Sequence, residues 1–88
     1  MNLKSVTEGI LFVVGDEGIT IKELASILGI TEEDVKGILT ELRRDYESPE
    51  RGLRISFLGN TFKLTTKSEH KEYYEKLVTD SRVFTLSN

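Results

Sequence analysis

Hydrophobic positions recur with helical spacing in four segments of the chain. The first helix is predicted over residues 3–14, the second over 22–28, the third over 31–46 and the fourth over 68–79. Turn residues at 15–18 end the first helix. Its expected buried stripe, at 100° per residue, consists of Leu3, Val6, Ile10, Val13 and Val14.

Capping residues mark a helix-turn-helix in the middle of the chain. A short β-branched stretch at residues 19–21 precedes the second helix, and Thr20 with Glu23 three positions later forms a capping box. Gly29 ends that helix, and Thr31 is the expected N-cap of the third, whose first turn is acidic. The tight turn between the two helices is typical of a helix-turn-helix.

The strongest local signal is a β-hairpin that turns at Gly59 and Asn60. Its register gives one apolar and one polar face, pairing Phe57 with Phe62, Ile55 with Leu64, Ser56 with Lys63 and Arg54 with Thr65. The order of elements predicts a mainly α fold with a β-hairpin wing: a winged helix-turn-helix with an extra C-terminal helix. We expect this domain over residues 1–80, followed by a tail at 81–88.

Length and composition exclude several classes of protein. A chain of 88 residues supports one small core and has no room for a deep cleft between domains. The absence of cysteine excludes disulfides and thiolate metal sites, and it favours a cytoplasmic location. The longest apolar run, residues 10–14, is too short to cross a bilayer.

Residues suited to catalysis or metal binding are sparse. His70 is the single histidine, and no second ligand or acid–base partner is spaced with it. Glu32 and Glu33 are explained by the positive start of the third helix. The glycines form no nucleotide-binding pattern. We therefore predict that the protein is not an enzyme and uses neither a metal nor a cofactor.

A winged helix can bind DNA, but the charges of this chain argue against it. The net charge is −3 and the pI is near 5.2, whereas nucleic-acid-binding domains are typically basic. The third helix, which would enter the groove, carries five acids and three bases, a net −2. The basic region is the wing, expected to be a solvated face with at most weak DNA-backbone contacts, at Arg51, Arg54, Lys63 and Lys67.

The first helix is more apolar than one buried face requires. Leu11 and Phe12 lie away from the expected stripe, and Ser5 and Gly9 beside Phe12 are small enough to admit another backbone. Two interpretations stay open: a partner docks there, or the fourth helix or the tail of the same chain covers it. Further candidates for a partner contact are Tyr74 in the fourth helix and Phe84 in the tail.

Three runs of sequence carry a family resemblance: LKSVTEGILFVVGDEG at residues 3–18, IKELASILGITEEDV at 21–35 and GLRISFLGNTFKLTT at 52–66. In this order and spacing they resemble the N-terminal winged-helix domain of the segregation and condensation protein B (ScpB) family, over residues 3–78. The resemblance implies a non-enzymatic accessory subunit of the bacterial SMC–kleisin complex, or condensin, which acts in chromosome condensation and segregation.

The resemblance also implies partners. These are a second copy of the chain, the kleisin subunit (segregation and condensation protein A, ScpA) and, through it, the SMC ATPase, at the nucleoid in the cytoplasm. The family has two tandem winged helices, so residues 81–88 are expected to start a linker to a second one that this chain lacks. The N-terminal domain is expected chiefly to self-associate and to contribute to kleisin binding, without specific DNA or membrane binding. The alternative is a winged-helix transcriptional regulator that binds DNA.

Overall fold

Four helices and a small antiparallel sheet make up residues 2–79, the part that this computed structural model describes, excepting the side chains of 78 and 79. In chain order they are α1 (Leu3–Val14), β1 (Ile19–Thr20), α2 (Ile21–Leu28), α3 (Glu32–Tyr46), β2 (Leu53–Leu58), β3 (Thr61–Thr66) and α4 (Lys71–Thr79), with 3₁₀ turns at Gly15–Glu17 and Ser68–His70. The predicted winged helix-turn-helix is confirmed. The first turn predicted for the fourth helix is instead the second 3₁₀ turn.

Side-chain caps fix the starts of the first three helices. The Asn2 side chain accepts hydrogen bonds from the backbone N–H groups of Lys4 and Ser5. The capping box of Thr20 and Glu23 is present, and Thr31 Oγ1 accepts the N–H of Asp34 at 3.0 Å. Each cap satisfies a donor that lacks a partner within the helix, so these local residues determine where each helix begins.

The hairpin has the predicted register, with Phe57 opposite Phe62 and Ile55 opposite Leu64. The sheet order is β1-β3-β2, because the short strand β1 pairs Ile19 with Phe62. This pairing joins the wing to the segment that links α1 to the helix-turn-helix. The core consists of buried residues from α1, β1, α2, α3 and both wing strands: Leu11, Ile19, Leu24, Val35, Leu39, Leu42, Tyr46, Ile55 and Phe62.

The buried face of α1 differs from the predicted stripe. Leu11 and Thr7 are fully buried, whereas Val13 is 81% exposed. The Thr7 hydroxyl donates to the Leu3 carbonyl at 2.7 Å, so this polar side chain is satisfied within its own helix and can occupy a core position. The prediction that Val13 is buried and that Leu11 lies away from the buried stripe is therefore wrong. It rests on hydrophobicity alone, whereas the buried face of α1 also includes Thr7, a polar residue.

Gly18 allows the closest approach between the α1–β1 connection and the wing. Its φ is +70°, and a Cβ at this position would lie 2.8 Å from the Phe62 carbonyl oxygen. We expect Gly18→Ala to lower the free energy of unfolding by at least about 2 kcal/mol, because backbone strain and a backbone clash add. Urea denaturation measures the loss. Gly15→Ala is the matched control, because φ at Gly15 is +59° but a Cβ there would meet no atom within 4 Å. Equal losses of stability in the two variants would show that the clash with the Phe62 carbonyl does not contribute.

Candidate protein-interaction surfaces

One face of α1 is left open and apolar. It consists of Ser5, Gly9, Phe12 and Val13, which helical spacing brings together and all of which are exposed. Phe12 is 77% exposed. A Cβ at Gly9 would meet no atom within 4 Å. We call this set the α1 face. The described side chains, those of residues 2–77, leave Phe12 open, so the described part of the fourth helix does not cover it, while the tail lies outside the described residues.

The other candidates for a partner contact do not join the α1 face. Leu11 is 0% exposed and packs in the domain's own core, so its assignment to a partner interface is wrong: it belongs to the face of α1 centred on Thr7. Tyr74 is half-buried, its ring edge-on to His70 and its hydroxyl beside Gly52. The adjacent Tyr73 is 64% exposed. Phe84 lies outside the described residues.

The four wing cations do not form one basic surface. Lys67 is 7% exposed and its Nζ donates to the Ser48 carbonyl at 2.6 Å. Its assignment to a solvated or DNA-contacting wing face is therefore wrong, because its amine closes the loop that precedes β2. The Arg51 guanidinium lies 5.4 Å from the centre of the Tyr46 ring, and Lys63 Nζ lies 4.0 Å from Asp16 Oδ1. Arg54 remains exposed.

A polar contact joins α1 to the end of α3. The buried Tyr46 donates its hydroxyl to Glu8 Oε2, and Lys4 Nζ lies 2.6 Å from Asp45 Oδ2. Burial, followed by the bond to Glu8, raises the pKa of Tyr46 to about 12 from its ordinary 10.0. Sequence reasoning placed Tyr46 on the buried stripe of the third helix, but it missed Glu8, because the two residues are distant along the chain.

The raised pKa of Tyr46 makes stability depend on pH in the alkaline range. A phenol whose pKa is raised in the folded state stabilises that state fully below the unfolded value of 10.0, and this contribution is lost as the pH rises to about 12. We expect Tyr46→Phe to be less stable than wild type by about 1–2 kcal/mol at neutral pH. The difference should shrink between pH 10 and pH 12, as measured by urea denaturation.

Tyr73→Phe is the control for this prediction, because the Tyr73 side chain is exposed. It should have wild-type stability at neutral pH. A difference between wild type and Tyr46→Phe that stayed constant up to pH 12 would show that the Tyr46 hydroxyl does not titrate as the structure implies.

A recess lies between the end of α3, the start of the wing and the second 3₁₀ turn. Its volume is about 260 Å³. Three cationic side chains line it, Arg43 from α3, Arg54 from β2 and Lys67 after β3, together with Glu47 and Glu69. The buried residues Tyr46 and Ile55 also contribute to its wall. We call it the basic recess. From sequence, Arg54 and Lys67 are grouped in the basic wing, but Arg43 is not joined to them, because Arg43 lies on α3.

Metal-binding clusters and membrane-spanning helices are both absent from the described residues. Among them, no group of three or more His, Cys, Asp or Glu side chains could hold a metal ion. Within the same part of the chain, no helix has the length and apolar character needed to cross a membrane. The domain presents an apolar helix face and a charged recess on a winged helix-turn-helix.

The fold defines the class as a winged-helix domain, and sequence comparison then identifies the family. The model of the segregation and condensation complex subunit ScpB family matches residues 5–88. This chain therefore belongs to the ScpB family. It is similar to segregation and condensation protein B of Oceanobacillus iheyensis (46% identity, 96% of this chain and 44% of the relative). It is also similar to that of Brevibacillus brevis (41% identity, 97% and 44%).

Solved structures agree with the fold. The chain superposes with a TM-score of 0.83 and 40% identity on a chain from the crystal structure of a dimer of the ScpB N-terminal domain complexed with ScpA peptide, covering 85% of this chain and 93% of that chain. ScpB from Mycobacterium tuberculosis matches with a TM-score of 0.81 over 98% of this chain and 53% of that chain. At 23% identity, this second likeness supports the fold alone. The chain spans less than half the length of the curated relatives it matches.

Proposed function

We propose that this chain acts as the N-terminal domain of an accessory subunit of a bacterial SMC–kleisin complex, in chromosome condensation and segregation. It self-associates, binds the kleisin ScpA and catalyses no reaction, and it works in the cytoplasm at the nucleoid. The observation that carries the proposal is the 40% identical ScpB N-terminal domain, which forms a dimer complexed with ScpA peptide. Because that structure matches most of this chain, the two activities are expected from a domain of this extent.

The α1 face is the surface we propose for self-association. Phe12 and Val13 are large apolar side chains left in water, and Ser5 and Gly9 beside them carry little or no side chain. Glycine within a helix costs about 0.5–1 kcal/mol relative to alanine, and nothing within the described domain requires it at position 9. Close approach of a second backbone would account for it. A two-fold dimer would place the same face of both copies in contact.

Two further features fit protein binding better than DNA binding. The start of α3 exposes Glu32, Glu33 and Asp34, which would face phosphates in a groove. Of the four wing cations, Lys67 is buried and Arg51 lies over Tyr46. Few cations are left for phosphate contacts, so any affinity for duplex DNA should be weak and strongly dependent on salt.

The direct experiment is calorimetric titration of the chain with full-length ScpA from the same organism, at physiological salt. We expect saturable binding of ScpA, and in a parallel gel-shift assay no binding of duplex DNA. Binding of DNA but not of ScpA would overturn the proposal in favour of the transcriptional regulator. Absence of binding to ScpA would remove the kleisin role from this domain.

A further inference from the structure

The basic recess contains positive charge that the domain does not neutralise. The whole chain has a net charge of −3, yet neither Arg43 nor Arg54 forms an ion pair with a described residue. Arg43 at the end of α3 can be explained by the negative end of the helix dipole. Arg54 lies on β2, where no helix end accounts for it.

Lys67 is the second and independent observation. Its side chain lines the recess and is 7% exposed, and its ammonium donates to the Ser48 carbonyl. Of the described residues, none places a carboxylate oxygen within 4.0 Å of this amine. The ammonium has three donors, and the Ser48 carbonyl accepts one of them, which leaves two for another group.

The neighbours of these cations determine which anion fits. Glu47 and Glu69 also line the recess and would repel a polyanion such as duplex DNA. A single carboxylate avoids most of that repulsion, since guanidinium groups bind carboxylates through paired hydrogen bonds. The buried Ile55 and Tyr46 offer apolar contact to a side chain next to the carboxylate.

We infer that the basic recess binds an aspartate or glutamate of an acidic peptide segment in the kleisin partner, beside the guanidinium groups of Arg43 and Arg54 and the ammonium of Lys67. This inference rests on the proposed role in kleisin binding. The recess lies on the α3–wing side of the domain, and its charged residues differ from the apolar residues of the α1 face. One surface then serves self-association and the other the peptide.

The test is calorimetric titration of full-length ScpA from the same organism into wild type, Arg43→Glu and Arg54→Glu. We expect each variant to bind at least tenfold more weakly than wild type. We also expect wild-type binding to weaken with added salt more steeply than binding by either variant, because the variants lack one charge pair. Arg54→Gln, which removes the charge without reversing it, should give a smaller loss in the same direction.

Lys36→Glu is the matched control: the same type of charge reversal on an exposed residue of α3 that does not line the recess. It should bind ScpA like wild type. Thermal unfolding midpoints within the wild-type range would show that the recess variants are folded, and Arg54→Gln keeps the test available if a glutamate variant does not fold.

The outcomes separate the inference from the proposed function. If wild type binds ScpA and the recess variants bind equally well, the recess inference is overturned and the kleisin role stands. If wild type does not bind ScpA, both fail. If duplex DNA competes with ScpA and its binding is lost in Arg43→Glu, the recess is a phosphate site and the peptide assignment is wrong.

Discussion

Phe12→Glu is expected to weaken self-association, so that the variant is a folded domain with the mass of one chain at concentrations where wild type is still a dimer. Phe12 is 77% exposed within the described domain, so the substitution removes little buried area and should leave the folded monomer intact. In a dimer formed through the α1 face, each interface would bury two carboxylates against apolar side chains. A central aromatic contact is typically worth 2 kcal/mol or more, so we expect dimer affinity to fall at least about 30-fold. Light scattering measures the mass.

Leu58→Glu is the matched control for this substitution. Leu58 is 72% exposed, so its exposure is similar to that of Phe12, but it lies on the wing. The Leu58 variant should retain the wild-type mass. If Phe12→Glu retained the dimer while Leu58→Glu lost it, self-association would use the wing and the α1 face would be the wrong surface.

Leu11→Ala is expected to lower the free energy of unfolding by about 3 kcal/mol, within the range observed for leucine truncations in a packed core. Leu11 is 0% exposed and lies in the core cluster, so the truncation leaves a cavity. Val13→Ala, two positions later on the same helix, should cost less than about 1 kcal/mol, because Val13 is 81% exposed. Urea denaturation gives both values.

Both truncations are best measured in the Phe12→Glu background, because dimerisation would add a concentration-dependent contribution to stability. Unfolding midpoints that do not depend on protein concentration would confirm that the background is monomeric. A larger loss for Val13→Ala than for Leu11→Ala would restore the stripe predicted from hydrophobicity and contradict the orientation of α1 in the structure.

The parts of the fold that could be predicted from sequence are those fixed by neighbouring residues. Thr20 with Glu23 and Thr31 determine where α2 and α3 begin, through hydrogen bonds spanning three positions. Gly59 and Asn60 fix the turn of the hairpin, and the period of two then gives its whole register. In each case the interaction lies within a few residues of the element it defines.

The parts that could not be predicted depend on contacts between distant segments. The buried face of α1 is set by packing against α3 and β3, where Thr7 replaces an apolar side chain. Lys67 donates a hydrogen bond to Ser48, which is 19 positions away along the chain. Tyr46 donates one to Glu8, which is 38 positions away. Three of the four α1 residues predicted from sequence to contact a partner, Ser5, Gly9 and Phe12, lie together on the α1 face. The fourth, Leu11, is buried in the core.

Sedimentation equilibrium of the wild-type chain over a wide range of concentrations tests the central claim most directly, that this winged helix presents an apolar helix face for a second copy of itself. If the α1 face binds a second copy, the mass rises from one chain toward two as concentration increases and then levels off. A mass of one chain that persisted to high micromolar concentration would contradict it.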